Sequence, residues 1–220
     1  MQGKLAGRRI VVSAGPTYED IDPARFLGNR SSGKMGFAIA EAAAAEGADV
    51  LLVAGPVHLP TPPSVQRVDV RSAAQMHAAV LQALPCDVYI GAAAVADFTP
   101  RTPLTSKLKK QAGEDSLLLE LVKTQDILAD VAAHALRPRL VVGFAAETDD
   151  VLAYARDKLV RKRVDMICAN QVGVAGSGFE SDDNALWLVE AQAERLLGSA
   201  HKRILAEQLM AVIGEKLKQG

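Results

Sequence analysis

Four stretches of the chain carry side chains suited to handling phosphate. Residues 28–36, GNRSSGKMG, keep the G-x-x-x-x-G-K frame of a phosphate-cradling loop. Met35 stands where such a loop needs a magnesium-binding hydroxyl, and about a dozen residues separate the stretch from the nearest apolar run, whereas a true P-loop follows its strand at once. A P-loop is therefore rejected. What survives is Ser31, Ser32 and Gly33 entering a helix near Lys34, where free N–H groups and a positive dipole end suit an anion; a loop that merely caps the helix is the plain alternative. Asp97, in GAAAVADFTP (91–100), follows a strand end. It could hold a cation or a ribose hydroxyl, or simply form a turn. SKLKKQ (106–111) places three lysines within four positions of a proline-rich segment. That is either a solvated basic loop or a mobile cation that closes over a triphosphate. Lys158 and Lys162 stand at i, i+4 and so reach the same side of one helix, although Asp157 and Arg161 flank them as on a solvated face.

These groups need a scaffold that brings distant segments to one place. Apolar runs at 9–15, 49–56, 87–95, 139–147 and 165–172 read as buried strands, and helical patterns fill 34–47, 72–84, 125–136, 149–163 and 199–217. Thr124 reads as an N-cap with Asp126 in the first turn, and Asp149 and Asp150 after Thr148 suit the start of the fourth helix. Val151, Leu152, Ala155 and Leu159 form that helix's core stripe. Repeated strand–helix–strand units predict an α/β, Rossmann-like, mainly parallel sheet with helices on both faces, which binds ligands beyond the carboxyl ends of its strands. The rhythm breaks between 98 and 123, where a basic proline-rich segment leads into DSLLLELVK, a further strand; this is an arm or flap too short for its own core. The stretch 56–70 reads as a proline-stiffened connection.

Composition narrows the classes. The chain of 220 residues, 49% apolar and 23% charged, is read as a single domain spanning 1–220. A net charge of −1 gives no pull toward nucleic acid or an anionic membrane. No apolar run approaches the ~20 residues of a membrane span and no signal-peptide pattern opens the chain, so a cytoplasmic setting is expected. The two cysteines, Cys86 and Cys168, are expected to be buried free thiols. The four histidines lack ligand spacing, which argues against a structural zinc.

Taken in order, AGPTYEDIDPARFLGNRSSGKMGFAIAEAA, VAGPVHLPTPPSVQRVDV, GAAAVADFTP, SKLKKQ, LELVKTQDIL, VVGFAAETDD, ARDKLVRKRVDMICAN and FESDDNALWLV resemble the phosphopantothenate–cysteine ligases, the synthetase half of the bifunctional bacterial coenzyme A proteins. The resemblance implies activation of 4'-phosphopantothenate by CTP to an acyl-cytidylate, then attack by L-cysteine, with Mg2+ carried in on the triphosphate. It implies catalytic roles for Asn29 and for Lys107, the flap lysine. It implies a nucleotide site from Gly91, Ala92, Ala93, Asp97, Lys107, Val122, Lys123, Thr124, Gln125, Phe144, Lys158 and Lys162, and substrate contacts from Arg25, Asn29 and Ser31. Many relatives read K-N-P-D where this chain has Lys123-Thr124-Gln125-Asp126. The resemblance also implies a homodimer made partly through the arm, and a fused or partner flavin decarboxylase absent from these residues. Two rivals are a nucleotide-binding regulator without chemistry, and a short-chain NAD(P) reductase. The reductase lacks the early glycine fingerprint and shares only the spacing Tyr154…Lys158.

Overall fold

The computed structural model describes residues 3–109, 116–147, 149–171 and 181–219. In chain order these form β1 (Arg9–Ala14), β2 (Tyr18–Asp22), β3 (Arg25–Gly28), α1 (Lys34–Ala45), β4 (Asp49–Ala54), β5 (Val65–Asp69), α2 (Ala73–Gln82), β6 (Val88–Gly91), β7 (Phe98–Pro100), β8 (Leu121–Lys123) and α3 (Ile127–Ala133). There follow β9 (Leu140–Glu147), α4 (Val151–Lys162), β10 (Met166–Gln171), β11 (Asp183–Val189), β12 (Glu194–His201) and α5 (Lys202–Lys218).

The main sheet runs β12-β11-β10-β9-β6-β1-β4-β5. Strands β10 through β5 in that order are parallel, and β11 and β12 add an antiparallel edge. Alternation along β1 divides the core. Ile10, Val12 and Ala14 face α1 and α5, whereas Val11 faces α2, α3 and α4. Each fully buried Leu, Ile or Val in these layers contributes about 1.5–3 kcal/mol. The chain leaves β1 for β4 on one side and returns to β6 on the other, so the order reverses between β1 and β6. That crevice is where a sheet of this kind binds its ligand. Gly36 lets α1 close on β1: a Cβ there would lie 2.4 Å from that of Ala14.

The expected sheet, its helices on both faces and its inserted arm are all present, with several differences at element boundaries. Residues 92–95, read as strand, leave the sheet after Gly91. The 56–70 connection contains β5, and β12 extends to His201 where a helix was expected. The third helix is capped by Asp126, whose Oδ1 accepts from the Ala129 amide at 3.1 Å. Thr124 is not its cap, because Thr124 donates its hydroxyl to the Ala96 carbonyl at 2.6 Å and its amide to that of Asp97 at 3.0 Å. The fourth helix has Asp150 at its N-cap without a side-chain capping bond, and Thr148 lies outside the described residues. Cys168 is buried but Cys86 only half-buried. In the arm, β7 pairs antiparallel with β8, and Leu104 donates to the Ile21 carbonyl at 2.8 Å, laying the arm beside β2. Residues 110–115 of the basic segment, including Lys110, lie outside the described residues.

Candidate active site

A cavity of about 890 Å³ opens across the carboxyl ends of β1, β6, β9 and β10. Its floor includes Ser13 and Tyr89, whose hydroxyls lie 2.9 Å apart. Burial pushes the Tyr89 phenol far above its ordinary range, so it stays neutral and polar at any working pH.

The segment after β6 forms one wall. It is held in place by the amides of Ala92 and Ala94, which donate to Ser13 and Gly15 at 3.0 and 2.9 Å, and by the Thr17 hydroxyl, which accepts from Ala96 at 3.0 Å. Asn29 closes on the same segment from the other side. Its Nδ2 donates to the carbonyls of Ala94 and Val95 at 3.0 and 3.1 Å. Only the amide nitrogen can make those bonds, so Oδ1 is the atom left for a ligand, and it is an acceptor. Beyond Asn29, α1 begins at Lys34 after Gly33, which takes φ 76° with no side-chain cap. The first turn of α1 therefore lies against the cavity with its positive dipole end toward it.

The opposite wall is cationic. Lys158 and Lys162, one turn apart on α4, both line the cavity. Lys158 donates to the Phe144 carbonyl at 2.7 Å, and Lys162 pairs with Asp126. Burial holds both ammonium groups below the usual lysine range; Glu147 and Asp97 oppose the drop at Lys158, and Asp97 opposes it at Lys162. Such a pair gains when an anion arrives and restores the charge balance that burial has denied it.

The structure thus brings Asn29, Ser31, Gly91, Ala92, Ala93, Asp97, Lys123, Thr124, Gln125, Phe144, Lys158 and Lys162 to one cavity. Three expected residues are not among its walls. Val122 lies on β8 between Leu121 and Lys123, so the alternation that turns Lys123 inward turns Val122 away. Arg25 is engaged elsewhere, pairing with Asp22 at 2.8 Å and donating to the Leu108 carbonyl at 2.7 Å. Those bonds, with the Leu108 amide donating to Asp22 at 3.1 Å, also hold neighbouring Lys107 at the β2–β3 turn. The pair expected of a reductase is not presented to the cavity, because Lys158 lines it and Tyr154, an exposed side chain, does not. Among the described residues no three His, Cys, Asp or Glu side chains converge on one point.

A family model for the DNA/pantothenate metabolism flavoprotein C-terminal domain matches residues 5–217. The chain belongs to this family. It is 52% identical over 214 residues to the coenzyme A biosynthesis bifunctional protein CoaBC of Vibrio cholerae serotype O1, covering 97% of this chain and 54% of that protein. With the protein of the same description from Escherichia coli strain K12 it shares 50% identity over 203 residues, covering 91% of this chain and 50% of the other. The crystal structure of the C-terminal domain of CoaBC superposes with a TM-score of 0.83 at 37% identity, covering 99% of this chain and 100% of that one. The chain therefore spans about half the length of the curated relatives it matches.

Sequence reasoning overlooked further residues of the cavity wall. Asn170, Asn184, Arg161 and Lys202 also line the cavity. Asn170 and Asn184 are 7% and 5% exposed, and each stands where the apolar part of its strand meets a polar end, beside Gln171 and Asp183 respectively. An asparagine at the polar end of an apolar strand is a weak signal, which becomes informative only once its burial is known.

Proposed function

We propose that the chain catalyses CTP-dependent ligation of 4'-phosphopantothenate with L-cysteine, giving phosphopantothenoylcysteine, CMP and pyrophosphate. The observation that carries the reading is the convergence of Asn29, Asp97, Lys158 and Lys162 on one cavity at the strand-order reversal. Family membership and half-length identity to the bifunctional coenzyme A proteins support it. The whole chain acts as one nucleotide-binding ligase unit in the cytoplasm, as a homodimer, with a flavin decarboxylase supplied by fusion or as a partner.

In the first step the substrate carboxylate attacks the α-phosphate of CTP; the new P–O bond forms as pyrophosphate leaves. Lys158 and Lys162 neutralise the charge that builds on the phosphates. Lys107 reaches the triphosphate only when the arm moves, since at rest its segment is held at the β2–β3 turn. In the second step the amine of cysteine attacks the activated carbonyl and CMP departs. Asn29 orients the acyl intermediate through Oδ1, while its Nδ2 fixes the segment at Ala94 and Val95. Magnesium bound to the triphosphate would help neutralise its charge; Asp97 would be the carboxylate of the lining to face it, since Asp126 is already paired with Lys162.

The test is pyrophosphate release with 4'-phosphopantothenate and magnesium, CTP against ATP, with and without L-cysteine. Steady turnover is expected with CTP and cysteine only, with CMP as product. Equal rates with ATP overturn the nucleotide assignment, and no release from folded protein overturns the ligase reading. Asn29→Ala should retain the first burst of pyrophosphate and lose turnover, whereas Lys107→Ala should lose the burst; the reverse pattern exchanges their roles.

A further inference from the structure

The hairpin that leads into Asn29 is fastened unevenly. Strand β2 is anchored along its length. The Tyr18 amide donates to the Arg71 carbonyl at 2.7 Å, and the buried Glu19 carboxylate accepts from the amide of Ala73, the first residue of α2, at 2.8 Å. Strand β3 runs straight into Asn29, pairs among the described residues with β2 alone, and has mostly exposed side chains. A two-stranded ribbon is marginal by itself. Whatever fixes β3 therefore fixes the point from which Asn29 starts.

One face of the hairpin carries a stack of side chains. In its register Tyr18 stands opposite Gly28 and Asp20 opposite Phe26, so these four share a face. The Tyr18 and Phe26 rings stack with centroids 3.9 Å apart and planes at 20°. The Tyr18 ring also lies against Gly28, where a Cβ would come within 2.7 Å of its Cδ1. Glycine is what lets the ring pack on the last residue before Asn29. Arg71 spans this stack from outside the hairpin. Its Nε and Nη2 donate to the Asp20 carboxylate, at 2.6 Å in the shortest of three contacts, and its Cζ stands 5.6 Å from the centres of both rings. The fork and the flat face of the guanidinium are both used. The arginine is itself held, because it precedes Ser72, the N-cap of α2. Its amide donates at 2.8 Å to Oε1 of Gln75, the residue that completes the capping box.

We propose that Arg71, with Asp20, is a positioning residue for Asn29: it closes over the Tyr18–Phe26 stack, ties the exposed strand β3 to the start of α2, and so fixes the backbone from which Asn29 presents Oδ1 to the cavity. The Nδ2 bonds to Ala94 and Val95 hold one side of the amide, but the aim of Oδ1 depends on the backbone as well. Arg71 does not line the cavity, and no bond is made or broken at it. The Arg71 and Asp20 side chains are 49% and 44% exposed, and a pair so open to water adds little to global stability. Its effect is local. The consequence for turnover rests on the ligase reading; the hold on β3 does not.

Two measurements on Arg71→Met, Asp20→Asn and the double variant test this. Arg8→Met is the control, since it breaks a comparable pair, Arg8–Asp87, at the amino end of β1. Thermal unfolding establishes that each variant is folded. Backbone hydrogen exchange, which needs no substrate, should quicken about tenfold or more at residues 26–29 in the three hairpin variants. It should stay as in the wild type in α1 and in the control. In the ligase assay the hairpin variants should keep the pyrophosphate burst and the KM for CTP while kcat falls about tenfold, a milder form of the Asn29→Ala pattern. The double variant should lose no more than either single one, because the two side chains act as a unit. Unchanged exchange at residues 26–29 overturns the proposal. So does quickened exchange with kcat undiminished, or a loss shared equally by burst and turnover. If the wild type shows no ligase activity, the ligase reading fails separately and exchange alone decides whether Arg71 holds β3.

Discussion

Lys158 shows how a single residue can lower stability in the service of a site. Its ammonium is largely withdrawn from water, and its direct hydrogen-bond partner is the neutral Phe144 carbonyl. Removing such a charge relieves the desolvation cost, so Lys158→Met should stabilise the unliganded protein by about 0.5–2 kcal/mol while abolishing most nucleotide affinity. The pH dependence follows from the direction of the shift. Because the folded-state pKa lies below the ordinary value near 10.4, the burial cost is fully present at neutral pH and fades as pH rises through the folded pKa toward that value. The stability advantage of Lys158→Met in denaturant titrations should therefore be largest near pH 7 and be lost as pH approaches the ordinary lysine value of about 10.4. A variant less stable than the wild type at pH 7 would show that the lysine is structural.

At the scale of elements, the arm depends on a carboxylate it does not own. Asp22 accepts from the amides of Ala24 and Arg25 at 2.7 and 2.9 Å, from Leu108 at 3.1 Å, and pairs with the Arg25 guanidinium. Burial alone would raise its pKa, but these donors together hold it below the ordinary value of 3.8. Stability from a depressed carboxylate is present above the unfolded pKa and lost as pH falls through the folded one. The arm should thus stay tethered across the neutral range and release only in acid below about pH 4. Asp22→Ala should release it at neutral pH, seen as faster tryptic cleavage after Lys107 or Lys109 and about tenfold lower turnover, with the acid-dependent step gone. Equal cleavage rates in variant and wild type would remove Asp22 from this role. Elements of this kind were hard to read from sequence. The runs RIVVSA and DVLLVA declare themselves because strands covered on both faces are apolar throughout. VQRVD and ERLLGSAH are edge strands, mostly exposed along their length, and YEDID is polar; their pairing depends on neighbours rather than on their own composition. The site divides the same way. Asn29, Asp97 and Lys158 occur in recognisable blocks. Lys202 joins them only because β11 and β12 reverse the chain and return the start of α5 to that of α1, which is tertiary information.

Over the whole molecule, exposed apolar side chains such as Leu136 and Val160 occur at several places, and the arm with its neighbouring hairpin carries several of them. Phe26, Leu104, Leu117, Leu118 and Leu121 are all exposed, Leu118 at 96%, and all belong to the β2–β3 hairpin or the arm. A two-stranded ribbon such as β7–β8 is marginal alone, and a cluster of this kind marks a surface that another protein covers. In the proposed homodimer, a second copy of the chain would cover it through one self-complementary contact. Leu117→Asp combined with Leu118→Asp should then convert a dimer to a monomer in sedimentation equilibrium. Because both side chains already face solvent within one chain, the isolated fold loses no core packing from the change. Turnover should fall with the dimer, since the same arm carries Lys107 toward the nucleotide. A wild type that sediments as a monomer at assay concentrations, yet turns over fully, would instead show that the apolar face serves a different partner and that the arm works within its own chain.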